Sequence, residues 1–113
     1  MGDGNYRVRR HKLVRDKMPE PQPPRRLRHY EGKAYQEALL AKLEEETEEL
    51  IQAASGQRLD KMMQVLEEAA DVLEVVYTLA QLYGITPAAI EETRQQKRAA
   101  RGGFTTGRGI EID

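Results

Sequence analysis

Two acidic clusters hold most of the chemistry this chain has to offer. The first is Glu45, Glu46 and Glu49, inside Leu43-Glu44-Glu45-Glu46-Thr47-Glu48-Glu49-Leu50. The second is Glu68 and Asp71, inside Glu67-Glu68-Ala69-Ala70-Asp71-Val72-Leu73. Glu46 and Glu49 stand three residues apart, as do Glu68 and Asp71, a spacing that puts both acids of a pair on one helix face. Two such helices side by side present four carboxylates to one point. A pair of carboxylates 4 Å apart repels by about 4 kcal/mol at an effective dielectric near 20, so converging acids take up protons or recruit a cation. Oxygen-only ligands favour Mg2+ or Mn2+ over Zn2+. Mg2+ is held by a few carboxylates together with waters and substrate phosphate oxygens, and such an ion can hold a polyphosphate and acidify an attacking water.

The elements that must position these acids are helices. From about Lys33 to Ala54, Leu39, Leu40, Leu43, Leu50, Ile51 and Ala54 recur at three- and four-residue steps and form one apolar stripe. Glu46 falls at the edge of that stripe, with Glu49 and Glu45 progressively further round the same flank, while Glu44 and Glu48 fall towards solvent. Ser55-Gly56 ends the helix, Gly being able to take the left-handed conformation, and Asp60 is a cap for the next. The second helix runs from about Lys61 to Tyr83 and is apolar nearly all round from Leu66 onward, which implies a central, buried position. On it, Glu68 and Asp71 share a face with Val75, Leu79 and Leu82, an environment in which carboxylates must be paired or bind metal. Basic residues within the two acidic helices are few: Lys42, Arg58 and Lys61. Gly84 stops the second helix. Thr86-Pro87 opens a third, which runs to about Arg101 before Gly102-Gly103. An EExxE pattern alone is weak evidence, because Glu is a good helix former; the second cluster, set into an apolar face, is what gives it weight.

With 113 residues, 33% charged and 5% aromatic, the sequence suits one small all-α domain over 1–113 with wet helix faces and a modest core. There is no Cys, hence no disulfide framework and no thiolate metal site. No apolar run is long enough to span a bilayer and no stretch reads as a signal peptide, so the expected location is cytoplasmic, without a membrane partner. Net charge is −1 but unevenly spread: residues 1–33 hold ten Lys/Arg against four Asp/Glu, residues 34–81 three against eleven, and residues 82–113 five against four. An acidic middle between basic ends suits a metal site ringed by anion-binding groups. Residues 1–32 form a basic arm in which Pro19, Pro21, Pro23 and Pro24 exclude a regular helix; residues 104–113 are a Gly-containing tail. His11 and His29 lie in the arm and read as surface residues. Tyr30, Tyr35, Tyr77 and Tyr83 read as core more readily than as base-stacking groups.

The order of these elements resembles a known family. Glu45-Glu46-Thr47-Glu48-Glu49, then eighteen residues, then Glu68-Ala69-Ala70-Asp71, is similar to the EExxE…ExxD signature of the MazG-like all-α nucleoside triphosphate pyrophosphatases. Lys12-Leu13-Val14-Arg15-Asp16-Lys17 and Lys97-Arg98-Ala99-Ala100-Arg101-Gly102-Gly103-Phe104 resemble a subgroup of short house-cleaning members. The resemblance implies a helical bundle of three main helices, completed by dimerisation as a homodimer or a dimer of dimers. It also implies Mg2+-dependent hydrolysis (Mn2+ as a substitute) of a nucleotide to its monophosphate and pyrophosphate. Carried over, it makes Glu46, Glu49, Glu68 and Asp71 the metal ligands and has Glu45 bind metal or orient the water. A register built on Glu44, Glu45 and Glu48 fits the spacing but not the framing by Leu43 and Leu50. Lys97 and Arg101, four apart on one face, match positions that contact phosphate; Lys12 and Arg15 reach the anion from the arm, Arg being suited to bidentate phosphate contacts.

The substrate expected on this reading is a noncanonical nucleoside triphosphate. The nearest rival, phosphoribosyl-ATP pyrophosphatase, shares fold and chemistry, and the Lys12-to-Lys17 arm argues mildly against it. Rivals of another class are a non-catalytic module that binds nucleotide or nucleic acid through the arm, which turnover would separate from an enzyme, and an interaction protein whose acids form a polar rim. Nucleic acid is the less favoured partner.

Overall fold

A computed structural model describes residues 12–19, 27–57 and 59–112. His11, Pro21, Pro23, Pro24 and Arg58, all named above, lie outside the described residues. Within them the chain is all-α, with no strand: α1 (Gly32–Ser55), α2 (Lys61–Gln81) and α3 (Pro87–Arg101). Each helix lies within two residues of its expected bounds.

The helix ends show which local signals operate. At α3, Thr86 Oγ1 accepts from the Ala89 amide at 3.1 Å and Pro87 sits in the first turn, so two of the features that start a helix coincide. After α2, the Ile85 amide donates to the Ala80 carbonyl and the Gly84 amide to the Gln81 carbonyl, with Gly84 at φ 72°. This is a Schellman closure, which needs the left-handed conformation that glycine adopts without strain. It carries the chain through Tyr83, where the sequence pattern had placed the helix end. Two expectations are corrected. Gly56 has φ −78°, so α1 ends without a left-handed residue, and the Asp60 side chain makes no capping hydrogen bond although it occupies the cap position of α2.

The core is the seam between α1 and α2. Ala38 and Leu39 of α1 and Val75 of α2 are its buried apolar residues, and Glu46 is the buried charged one. The seam therefore follows Leu39 and Glu46 and does not follow the whole predicted stripe: Ile51 is 59% exposed and Ala54 is exposed. The expectation that α2 is buried all round is corrected in the same way. One face of α2, carrying Glu68, Asp71 and Val75, packs on α1. At 100° per residue the opposite face carries Met62, Met63, Leu66 and Leu73, all exposed. Among the described residues a single neighbouring helix covers only one side of α2, so the all-round apolar pattern exceeds what they bury. On α3 only Ile90 is half-buried.

Candidate metal centre

The two acid pairs meet across the α1–α2 seam. Glu46, Glu68 and Asp71 each offer a carboxylate oxygen, and these lie within 4.8 Å of one another; Glu45, Glu46 and Glu49 form a second such group. Glu46 belongs to both, so the groups are continuous. Glu49 and Glu68 stand close enough across the seam for each carboxyl to act on the other. The helical spacing produces this: Glu46 and Glu49 project from one face of α1 towards the face of α2 that carries Glu68 and Asp71.

The electrostatics show how crowded the point is. Burial, then Glu49 and Asp71, hold the Glu46 carboxyl above the usual carboxylate value, against the opposing pull of Lys42. Burial, then Glu45 and Glu68, raise Glu49. Burial, then Asp71 and Glu46, raise Glu68. Glu45 differs: burial pushes it up, but Lys12 and Lys42 together outweigh burial and hold it below the usual value.

Basic groups line the rim. Lys12 Nζ donates to Glu45 Oε2 at 3.1 Å, and Arg15 Nη2 donates to Asp71 Oδ1. Arg15 is carried on a short turn closed by the Met18 amide donating to the Arg15 carbonyl at 3.1 Å. The basic arm thus reaches the acids. Lys97 and Arg101 do not join them. Both are exposed on α3, and among the described residues neither side chain forms an ion pair or hydrogen bond. Glu48 is exposed and belongs to neither acidic group, whereas Glu44 is half-buried and not fully turned to solvent. His29 is exposed. Tyr30 is half-buried beneath the Arg28 guanidinium, 5.1 Å from its ring centre, and the exposed Tyr83 accepts from Gln36; none of these lies among the acids.

Sequence reasoning undervalued Lys42. It bonds Glu45 Oε1 and Glu46 Oε2, each at 3.3 Å, with its side chain 18% exposed. The signal was present in its spacing, three residues before Glu45 and four before Glu46.

Whether these residues suit a divalent ion is tested by their unsatisfied atoms. Glu46 Oε1 and Glu68 Oε1 are buried and have no hydrogen-bond partner among the described residues. A buried carboxylate oxygen without a partner is costly. Two of them, on side chains that converge, with only oxygen donors around, fit a hard cation such as Mg2+ or Mn2+.

Helices that bring an EExxE and an ExxD set to one acidic point define the class: an all-α pyrophosphohydrolase of the MazG-like superfamily. A family model described as phosphoribosyl-ATP pyrophosphohydrolase matches residues 11–98, well over half of the chain, and the chain belongs to that family. It is therefore a hydrolase acting on an acid anhydride of a nucleoside-triphosphate-like substrate. No curated protein and no solved structure gives a significant match. The matched span includes Lys12, Arg15, every acid of the site and Lys97, and stops before Arg101 and Gly102-Gly103-Phe104.

Proposed function

We propose that the chain is a Mg2+-dependent enzyme that cleaves a noncanonical nucleoside triphosphate between its α and β phosphates, releasing the monophosphate and pyrophosphate. The observation that carries this reading is the convergence of Glu46, Glu68 and Asp71 within 4.8 Å, with buried, unpartnered oxygens on two of the three. Glu46, Glu49, Glu68 and Asp71 hold the ion, and Mn2+ substitutes for it. When bound, the ion supplies charge neutralisation on the phosphates and a more acidic water. Glu45 orients the attacking water. Lys12 and Arg15 bind phosphate from the arm, and Lys97 and Arg101 do so from α3. A second reading, phosphoribosyl-ATP as substrate, is favoured by the description of the matching family.

The test is a panel of canonical, deoxy and modified nucleoside triphosphates together with phosphoribosyl-ATP, assayed for pyrophosphate with Mg2+ or Mn2+. Preference for a modified triphosphate supports the first reading and preference for phosphoribosyl-ATP the second. Absence of metal-dependent pyrophosphate release from every compound overturns both.

The active form on this reading is a homodimer or a dimer of dimers acting in the cytoplasm. The exposed Met62, Met63, Leu66 and Leu73 face of α2 supports the dimer, since a contiguous apolar patch seeks cover. No helix of the described residues is long and apolar enough to cross a membrane. Sedimentation showing a monomer at micromolar concentration, with full activity, would remove the dimer.

A further inference from the structure

Each oxygen of Glu46 has a different environment. Oε2 meets Lys42 Nζ at 3.3 Å. Oε1 is buried without a partner, on a residue only 7% exposed that stands within ligating reach of Glu68 and Asp71. Lys42 is itself fixed at a second point, 3.3 Å from Glu45 Oε1. Glu45 in turn accepts from Lys12 through its other oxygen. A chain of contacts therefore runs from the arm through Lys12, Glu45 and Lys42 to one oxygen of Glu46, and leaves the other oxygen, Oε1, buried and unpartnered among the described residues.

We propose that Lys42 is a positioning residue of the metal centre: by engaging Glu46 Oε2 it fixes the carboxylate plane and presents Oε1 alone to a divalent cation. This rests on the reading of the acids as a metal site. Lys42 touches neither substrate nor ion; it acts through Glu46, with Glu45 as its anchor. A carboxylate whose second oxygen is tied this way binds the ion through one oxygen in a set orientation. Partners of this kind orient ligands, and their loss typically lowers metal affinity or activity by about 10- to 100-fold.

The sign of the effect separates this role from a simple charge effect. If Lys42 only contributed positive charge, replacing it with a neutral residue would remove repulsion and tighten Mn2+ binding. If it positions Glu46, the same replacement loosens Mn2+ binding despite the more negative site.

The experiment is Mn2+ titration followed by electron paramagnetic resonance on wild type, Lys42→Met and Lys42→Arg, with circular dichroism on each. Lys42→Met is expected to weaken Mn2+ binding roughly tenfold or more, and Lys42→Arg to restore most of it by keeping a donor on Oε2. Lys42→Gln, too short to span both acids but still polar, answers the same question if Lys42→Met does not fold, and is also expected to weaken binding. Unchanged or tighter Mn2+ binding in a folded neutral variant overturns the proposal. Failure of wild type itself to bind Mn2+, or full binding by Asp71→Asn, would instead overturn the metal-site reading, so the two failures are distinguishable.

Discussion

The α1–α2 seam and helix α3 carry opposite charge, and the chain treats them differently. In the seam, acids that repel each other are held at close quarters, half-buried or buried, with Lys12, Arg15 and Lys42 drawn in around them. On α3, Lys97, Arg98 and Arg101 project into solvent, and the one described ion pair, Arg94 with Glu91, is local to the helix. The seam is assembled within a single chain, while α3 awaits something to face. An exposed basic turn at a helix C-terminus also complements the helix dipole, so position alone does not make Lys97 and Arg101 functional. Like charges packed at a seam have no such structural excuse.

The largest effect expected from this contrast lies in the seam. Glu49→Gln and Asp71→Asn should each lower Mg2+-dependent pyrophosphate release by more than about 100-fold, beyond what loss of an outer partner typically costs, with the fold retained. Relief of repulsion should leave the metal-free proteins no less thermally stable than wild type. Full activity in both variants would show that the seam is a structural acid cluster.

Next comes α3. If Arg101 meets phosphate during turnover, Arg101→Ala removes a charge-assisted hydrogen bond worth about 1.5–3 kcal/mol, or about 10- to 150-fold in kcat/KM, while Mn2+ affinity stays as in wild type. Unchanged kcat/KM at low salt would reduce the α3 cations to dipole complements and leave phosphate to the arm.

Protons provide a smaller, graded test. Burial and neighbouring acids raise Glu46, Glu49 and Glu68 in the folded chain, so each binds its proton more tightly folded than unfolded. The destabilisation this causes is complete above the folded value and is relieved as pH falls through it towards the unfolded value near 4.5. Burial alone would raise Glu45 as well, but its two lysines more than offset that. Its contribution therefore runs the other way, present above the unfolded value and lost as pH falls through the folded one. The metal-free unfolding midpoint should thus rise on acidification from about pH 7.5 to about pH 5 and fall at lower pH. Saturating Mg2+ should flatten the upper limb, because the ion removes the repulsion that protons otherwise relieve. A metal-free midpoint that falls steadily from pH 7.5 downward would mean the acids are less crowded than their geometry implies.

The sequence disclosed these regions unequally, for physical reasons. The acids were legible because a three-residue spacing fixes a shared helix face, whatever the rest of the chain does. Thr86-Pro87, Gly84 and Gly102 were legible because capping and left-handed backbone are local properties; Gly102 has φ 79°. The reach of Lys12 to Glu45 and of Arg15 to Asp71 spans 33 and 56 residues, and no periodicity records contacts at such separations. The stripe of α1 misled at Ile51 and Ala54, because apolar spacing says which residues prefer cover and not which partner supplies it. The same holds for α2, whose second apolar face is left exposed among the described residues.

That uncovered face sets up the smallest and most local prediction. Thr86→Ala removes the hydroxyl that caps α3, worth about 1 kcal/mol of helix stability. In a monomer α3 contributes only the half-buried Ile90 to packing. Its loosening should then speed hydrogen exchange of the α3 amides while leaving the global unfolding midpoint almost unmoved. If a second copy covers α3 together with the Met62–Leu73 face of α2, the same substitution lowers the global midpoint as well, because α3 then unfolds with the assembly. Exchange confined to α3 with an unchanged midpoint would mean that the basic helix stands outside the cooperative unit and meets the acids only when substrate bridges them. Loss at both readouts would place it inside a dimer core.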